Sequence, residues 1–277
     1  MTQINVMRRS DFDFGLTMAN NEHWGYLRED YESLLALSPE GCFIAWKDKT
    51  PVGIITTLCH GEYGFIGTLI VLPEMRGHKI GESLMQMAIN YLHDSKVTTI
   101  ELDGVFPAVP LYRRLGFRDR FISLRLKRSA MKTRPLEPVQ TSAYSIEEMC
   151  EFDFRHTGID RSKLLNQFYT SFKDNLITIG QTEITGYAFI RPRGAGVHFI
   201  GPSVADSNQS VRLLYKAIMH RYGDSLLETG LPDNSQFTID YLINNGFIHT
   251  QPALRMYLGQ KPDNCDTICG IISPGKG

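Results

Sequence analysis

The hydrophobic pattern divides the first half of the chain into short strands and helices. Apolar, β-branched runs at residues 4–7, 42–46, 52–58 and 63–71 read as strands. Turn chemistry at residues 47–53 (KDKTPVG) and 60–62 (HGE) joins the last three into an antiparallel meander. Ahead of them, Ser10 and Asp11 offer an N-cap for a short helix through Leu16 and Met18. After the meander, Leu84, Ala88, Tyr91 and Leu92 recur at helical spacing with Glu82, Gln86, Asn90 and Asp94 on other faces, which predicts a helix from about Ile80. Residues 98–102 are the next strand, expected to run parallel to the 63–71 strand through a right-handed crossover. A short helix over residues 110–115 closes at Gly116 in the left-handed position with Phe117 as the hydrophobic residue after it, and residues 121–126 alternate as a strand. The fold class is α/β (α+β): a mixed, mostly antiparallel sheet flanked by helices.

The pattern then repeats. Phe65-Ile66-Gly67 returns as Phe199-Ile200-Gly201 (199 − 65 = 134), Leu84-Met85 as Leu213-Leu214 (213 − 84 = 129) and Gly116-Phe117 as Gly246-Phe247 (246 − 116 = 130). Near-constant offsets imply one supersecondary order used twice, the competing explanation being chance likeness of two α/β stretches. Residues 128–140 carry Pro135, Pro138, Lys132 and Arg134 without periodicity. We therefore expect a first domain over residues 1–128, a linker over 129–141 and a second domain over 142–277, opened by the Ser145/Glu148 capping box. Between strand and helix the second copy is five residues shorter (134 − 129), its residues 204–210 (VADSNQS) hold neither Arg nor Gly, and Leu242 answers to Tyr112. Only the first copy is expected to hold an anion.

Composition narrows the classes. With 29 Lys plus Arg against 30 Asp plus Glu, no global field recruits nucleic acid. No run of about 18 apolar residues suggests a membrane span, and the N-terminus lacks an export signal. Five scattered cysteines point to a reducing, cytoplasmic setting, and Cys265 with Cys269 is too few thiols for a zinc site, so no metal is expected.

Residues 70–81 (IVLPEMRGHKIG) run from a strand through a basic loop into a helix start. Unpaired N–H groups and the helix dipole there, beside Arg76, Gly77, His78 and Lys79, suit a phosphate; the alternative is an ordinary βα turn with exposed basic residues. Glu22, His23, Trp24 and Tyr26 form a polar aromatic segment that either packs over the sheet edge or walls a substrate pocket.

Residues 71–81, followed by LYRRLGF at 111–117, closely resemble the two signature motifs of the GNAT acyl-CoA N-acyltransferases. The family's Arg/Gln-x-x-Gly-x-Gly/Ala motif is met by Arg76, Ile80 and Gly81, with Lys79 where the first glycine usually stands. Residues 22–25 (EHWG), 39–45 (PEGCFIA) and 102–105 (LDGV) further resemble a bacterial and archaeal subgroup carrying a second, degenerate GNAT-like domain, which implies tandem GNAT-like folds. The resemblance implies acetyl-CoA as acyl donor. Its pyrophosphate would lie on the amides of Gly77, His78, Lys79, Ile80 and Gly81 with Arg76 beside it, and its pantetheine arm between strands ending at Val71 and Asp103, bonded near Ile70 and Val71. A backbone N–H near Leu69 or Ile70 would face the oxygen that gains charge.

By the same resemblance Tyr112 sits near the CoA sulfur as general acid, the alternative being that it only packs its helix on the sheet. For the base, Asp103 and Glu22 lead over Glu101, His60 and Glu62, and each carboxylate could instead be a solvated charge or a cap. Glu22, Trp24 and Tyr26 would suit the primary amine of a small-molecule acceptor. The expected activity is N-acetyl transfer by direct attack in a ternary complex. A non-catalytic acyl-CoA sensor or assembly module is the rival, and nucleotide binding is weaker because no P-loop is present.

Overall fold

The structure, a computed structural model, describes residues 2–131, 141, 143–262 and 267–277. Residues 132–140 of the expected linker, and Cys265, lie outside them. The chain forms two compact units: unit 1 comprises Met1–Asp119, Met256–Pro262 and Gly275–Gly277, and unit 2 comprises Arg120–Arg255 and Asp263–Pro274. No helix among the described residues is long and apolar enough to cross a membrane.

Unit 1 holds β1 (Thr2–Val6), α1 (Phe12–Asn21), α2 (Arg28–Leu37), β2 (Phe43–Lys47), β3 (Thr50–His60), β4 (Tyr63–Val71), α3 (Ile80–Asp94), β5 (Thr99–Gly104) and α4 (Val109–Arg114). The strands pair in chain order, antiparallel from β1 to β4, and β4 and β5 run parallel. Asp48 and Lys49 at φ +48° and +71° close the β2–β3 hairpin, the two left-handed residues of a tight turn matched to strand twist. Helix α2, whose first turn is acidic, is not among the elements that the hydrophobic pattern predicts. It is made by an Asp30 carboxylate that accepts from the Leu27 N–H at 3.0 Å, and by fully buried Tyr31 and Leu34. One face of the sheet takes α3, whose Leu92, with Val97 just beyond the helix, abuts Gly64 so closely that a Cβ there would meet them at 3.0 Å.

Unit 2 repeats the order with α5 (Ile146–Thr157), α6 (Ser162–Phe172), β7 (Leu176–Gly180), β8 (Ile184–Pro192), β9 (Val197–Ala205), α7 (Asn208–Tyr222), β10 (Leu226–Pro232) and α8 (Gln236–Asn244). β9 and β10 are its parallel pair. The strand expected over residues 121–126 is part of β6 (Arg118–Arg128) and lies antiparallel to β10 in unit 2, where the short β11 (Ile248–His249) also pairs with it. In unit 1 the place beside β5 is taken by residues 256–259 of β12 (Ala253–Gly259), after which the Gln260 N–H donates to the Thr98 carbonyl at 3.0 Å. Both units thus carry a mixed, mostly antiparallel sheet flanked by helices.

Ser145 and Glu148 close the foreseen capping box, at 3.1 and 2.7 Å. Behind that helix Arg161 Nε donates to Asp153 Oδ2 at 2.9 Å, and the Tyr187 hydroxyl donates to Asp153, all three buried. Replacing Arg161 with methionine strips the buried carboxylate of its counter-charge and is expected to cost about 3–5 kcal/mol, read as a lower denaturant midpoint.

Candidate functional site

The strand-to-helix turn after β4 is built by two left-handed residues. A 3-10 turn over Pro73–Met75 leads to Gly77 at φ +80° and Lys79 at φ +60°, and α3 starts at Ile80. The position where related loops favour glycine is thus one that any side chain enters at a cost of about 1 kcal/mol, which Lys79 bears. No carbonyl or side chain among the described residues accepts from the backbone N–H groups of residues 77–82. With the dipole of a long helix behind them, these donors are arranged as an anion cradle would need. Gly77 is favoured by its left-handed backbone. Gly81 has no such need, since a Cβ there would meet only Leu111 and Val71, each at 3.8 Å, an ordinary contact. Its bare Cα leaves room for a ligand to approach the backbone, as a diphosphate would. His78 folds onto the loop with Nδ1 at 3.1 Å from the Arg76 carbonyl and 3.3 Å from that of Met75. Carbonyls only accept, so Nδ1 carries the proton.

A gap opens beside the same strand. β4 pairs with β5 only from Tyr63↔Thr99 to Ile66↔Leu102. Immediately beyond, Gly67 and Ile70 pair with Thr56 and Ile54, so Thr68 and Leu69 together face Ile55, with Thr68 at φ +52°. This is a β-bulge, which bends its strand at the point where the ladder to β5 ends. Leu69, Ile70 and Val71 therefore run past the last paired residue toward the anion cradle, Ile70 buried and the others half-buried.

Asp103 directly follows the last paired residue of β5 and is half-buried. Alternation puts Asp103 and Glu101 on the face shared by Phe65 and Gly67, while Gly104 looks to the α3 face. The Tyr112 ring packs over Gly104, so Tyr112 and Asp103 stand on opposite faces of β5. Burial pushes the Tyr112 phenol up to about 12, and its ring lies edge-on to Phe117 with centroids 6.2 Å apart. Glu101 accepts from the Tyr63 hydroxyl at 2.7 Å.

On the α1–α2 side, the rings of Trp24 and Tyr26 lie 6.2 Å apart, and the buried Tyr26 hydroxyl hydrogen-bonds Thr68 Oγ1 at 3.1 Å, which also takes a bond from Thr56 at 3.1 Å. Glu22 pairs with Arg76 Nη2 at 3.1 Å while Arg76 Nε holds the Val71 carbonyl at 3.1 Å. One residue expected on the acceptor side and one expected on the donor side are thus joined. Both are half-exposed, so the pair contributes at most about 1 kcal/mol. His23 is exposed. Sequence reasoning missed Thr56, Thr68 and Asp30: a bulge and a helix whose signals are weak locally.

Unit 2 has the same parts without the opening. β9–β10 pairing ends at Ile200↔Thr229, but Ser203 and Val204 then pair with β13 (Ile268–Gly270), and the Ile271 N–H donates to Gly230 at 2.8 Å. The chain's own strand fills the slot. The start of α7 is capped by Ser207, which accepts from the Ser210 N–H at 3.2 Å, and Asp206 adds a negative charge. Leu242 is fully buried in the core.

Residues 8–117 match the family model of the Acetyltransferase (GNAT) family, and residues 149–268 match that of an Acetyltransferase (GNAT) domain. The chain is 25% identical over 247 residues to the holothin acyltransferase of Pseudoalteromonas sp. (strain SANK 73390), covering 87% of this chain and 82% of that one. A protein of Pyrococcus horikoshii solved as a candidate acetyltransferase is similar with a TM-score of 0.83 at 22% identity, over 100% of this chain and 96% of that one. A tandem GNAT protein from the clavulanic acid biosynthesis pathway is similar with a TM-score of 0.64 at 13% identity, over 95% of this chain and 100% of that one. At these identities the two structures speak for the fold.

Proposed function

This chain belongs to the GNAT acetyltransferase family, and from that premise we propose that unit 1 moves an acetyl group from acetyl-CoA to the primary amine of a small-molecule acceptor, by direct attack with both substrates bound. One observation carries the reading: the N–H groups of residues 77–82, from which no described residue accepts, adjoin the stretch of β4 past Ile66 that no longer pairs with β5, whereas in unit 2 β13 fills the corresponding slot and Ser207 caps the helix start. A diphosphate on Gly77, His78, Lys79, Ile80 and Gly81 would aim its thioester along Leu69, Ile70 and Val71. The relative named for acylating holothin supports acyl transfer to a small molecule.

Roles follow from the two faces of β5. Asp103, directly or through a water, takes a proton from the ammonium on the face of Phe65 and Gly67. The amine nitrogen then bonds to the acyl carbon as the C–S bond breaks, with a backbone N–H near Leu69 or Ile70 facing the oxygen. From the opposite face the Tyr112 hydroxyl donates a hydrogen bond to the departing sulfur, and the thiolate takes up the second proton that the acylated nitrogen sheds. Glu22, held by Arg76, orders the loop of His23, Trp24 and Tyr26 on the acceptor side more readily than it serves as base, since its charge is already matched. Burial holds the Cys42 thiol up at about 12, which speaks against an acetyl-cysteine stage there.

Calorimetric titration with acetyl-CoA and with ATP, followed by thiol release over a panel of primary amines, tests the reading. Acetyl-CoA is expected to bind well above ATP and thiol to appear only with amine. Binding without release across the panel would leave the sensor instead. Without amine, the intact protein should gain no acetyl mass from acetyl-CoA; a stably acetylated Cys42 or Cys59 would overturn direct attack.

A further inference from the structure

The glycine of the repeated Phe-Ile-Gly triplet lies against a backbone carbonyl in both units, that of Ile271 in unit 2. A Cβ on Gly67 would overlap the carbonyl of Gly275, and one on Gly275 would overlap the Tyr26 hydroxyl. Gly275 is therefore wedged between the acceptor-side aromatic and the residue of β4 just past its last pairing with β5. Gly277 lies on the Phe65 ring, where a Cβ would come within 3.2 Å. Between the two glycines the Lys276 side chain is 2% exposed and donates to Asp30 Oδ1 at 2.7 Å. Asp30 is the same carboxylate that caps α2. Two glycines that press on β4 and a lysine buried under α2 make this segment a fixed layer on the face that Asp103 shares.

We propose that Gly275–Gly277 is a built-in wall of the acceptor pocket, locked by the Lys276–Asp30 ion pair, and that it restricts acceptors to amines carried on slender, unbranched carbon. Filling the space over Gly67 with backbone leaves no room there for branching next to the amine. Lys276 acts through Asp30 and through the segment it anchors, so it is a positioning residue. The proposal rests on the reading of unit 1 as an N-acetyltransferase.

The test compares n-hexylamine with cyclohexylamine, which carry equal numbers of carbons but differ in branching at the amine carbon, by thiol release from acetyl-CoA. The wild type is expected to favour n-hexylamine, and deleting Gly275–Gly277 to lower the ratio of the two kcat/KM values about tenfold with the KM for acetyl-CoA unchanged. A deletion could also loosen the fold. The Asp30→Asn/Lys276→Met pair therefore removes the lock without stranding a buried charge, and should lower the ratio too, whereas Lys276→Arg should keep it. An unchanged ratio in the paired variant, with acetyl-CoA binding intact, overturns the wall alone. A wild type that binds acetyl-CoA yet acylates neither probe also counts against it, while one that neither binds acetyl-CoA nor releases thiol with any amine overturns the acetyltransferase reading on which it rests.

Discussion

Gly81→Asp is expected to weaken acetyl-CoA binding about a hundredfold while leaving the protein as stable as before or slightly more so. The two effects have opposite signs for one reason. A carboxylate in the first turn of a helix meets the positive end of the dipole and the free N–H groups of residues 77–82, so it suits the fold. The side chain also fits, because a Cβ at this position meets nothing closer than 3.8 Å. It then occupies the cradle as a fixed anion that a diphosphate must displace against like charge, at about 2.7 kcal/mol for a hundredfold loss. Calorimetry with acetyl-CoA and thermal unfolding, run side by side, check both signs. Unchanged affinity would remove the α3 start from the donor site, and Gly81→Ala, which adds bulk without charge, separates crowding from repulsion.

Tyr112→Phe should lower turnover at least tenfold with acetyl-CoA affinity changed less than about twofold. The variant keeps the ring that packs on Gly104 and Phe117, so a purely structural tyrosine would lose nothing. With its phenol raised to about 12, full proton delivery to a thiolate whose conjugate acid lies near 8.5 is uphill by about 5 kcal/mol. A hydrogen bond to the charged sulfur is the effect within reach, about 1.5–3 kcal/mol, or one to two orders of magnitude in rate. The pH profile carries a second check. The neutral, donating phenol persists at every pH below about 12, so no descending limb at lower pH belongs to Tyr112. A limb near pH 9–10 that vanishes in the phenylalanine variant would contradict this.

The meander, the crossover helix starting at Ile80, the parallel strand after it and the short helix ending at Gly116 were all legible in the sequence, because each depends on local chemistry: alternation, helical periodicity and turn residues. The basic loop with its motif was legible for the same reason, as was the tandem repeat. Helix α2 was not: its first turn is acidic and its apolar residues crowd into the second half, and burial of Tyr31 and Leu34 is what settles it. Nor was the joining of Glu22 to Arg76, a contact across 54 positions that neither residue announces.

By itself the sequence determined most of the elements and where the basic loop and its helix start lie, since these follow from backbone preference and hydrophobic period within a few residues. Only the tertiary structure decided where the β4–β5 ladder ends, which faces of β5 Tyr112 and Asp103 occupy, why unit 2's slot is filled by β13, and that Lys276 reaches Asp30 across 246 positions. Those depend on register, bulges and packing between distant segments, which no local pattern specifies.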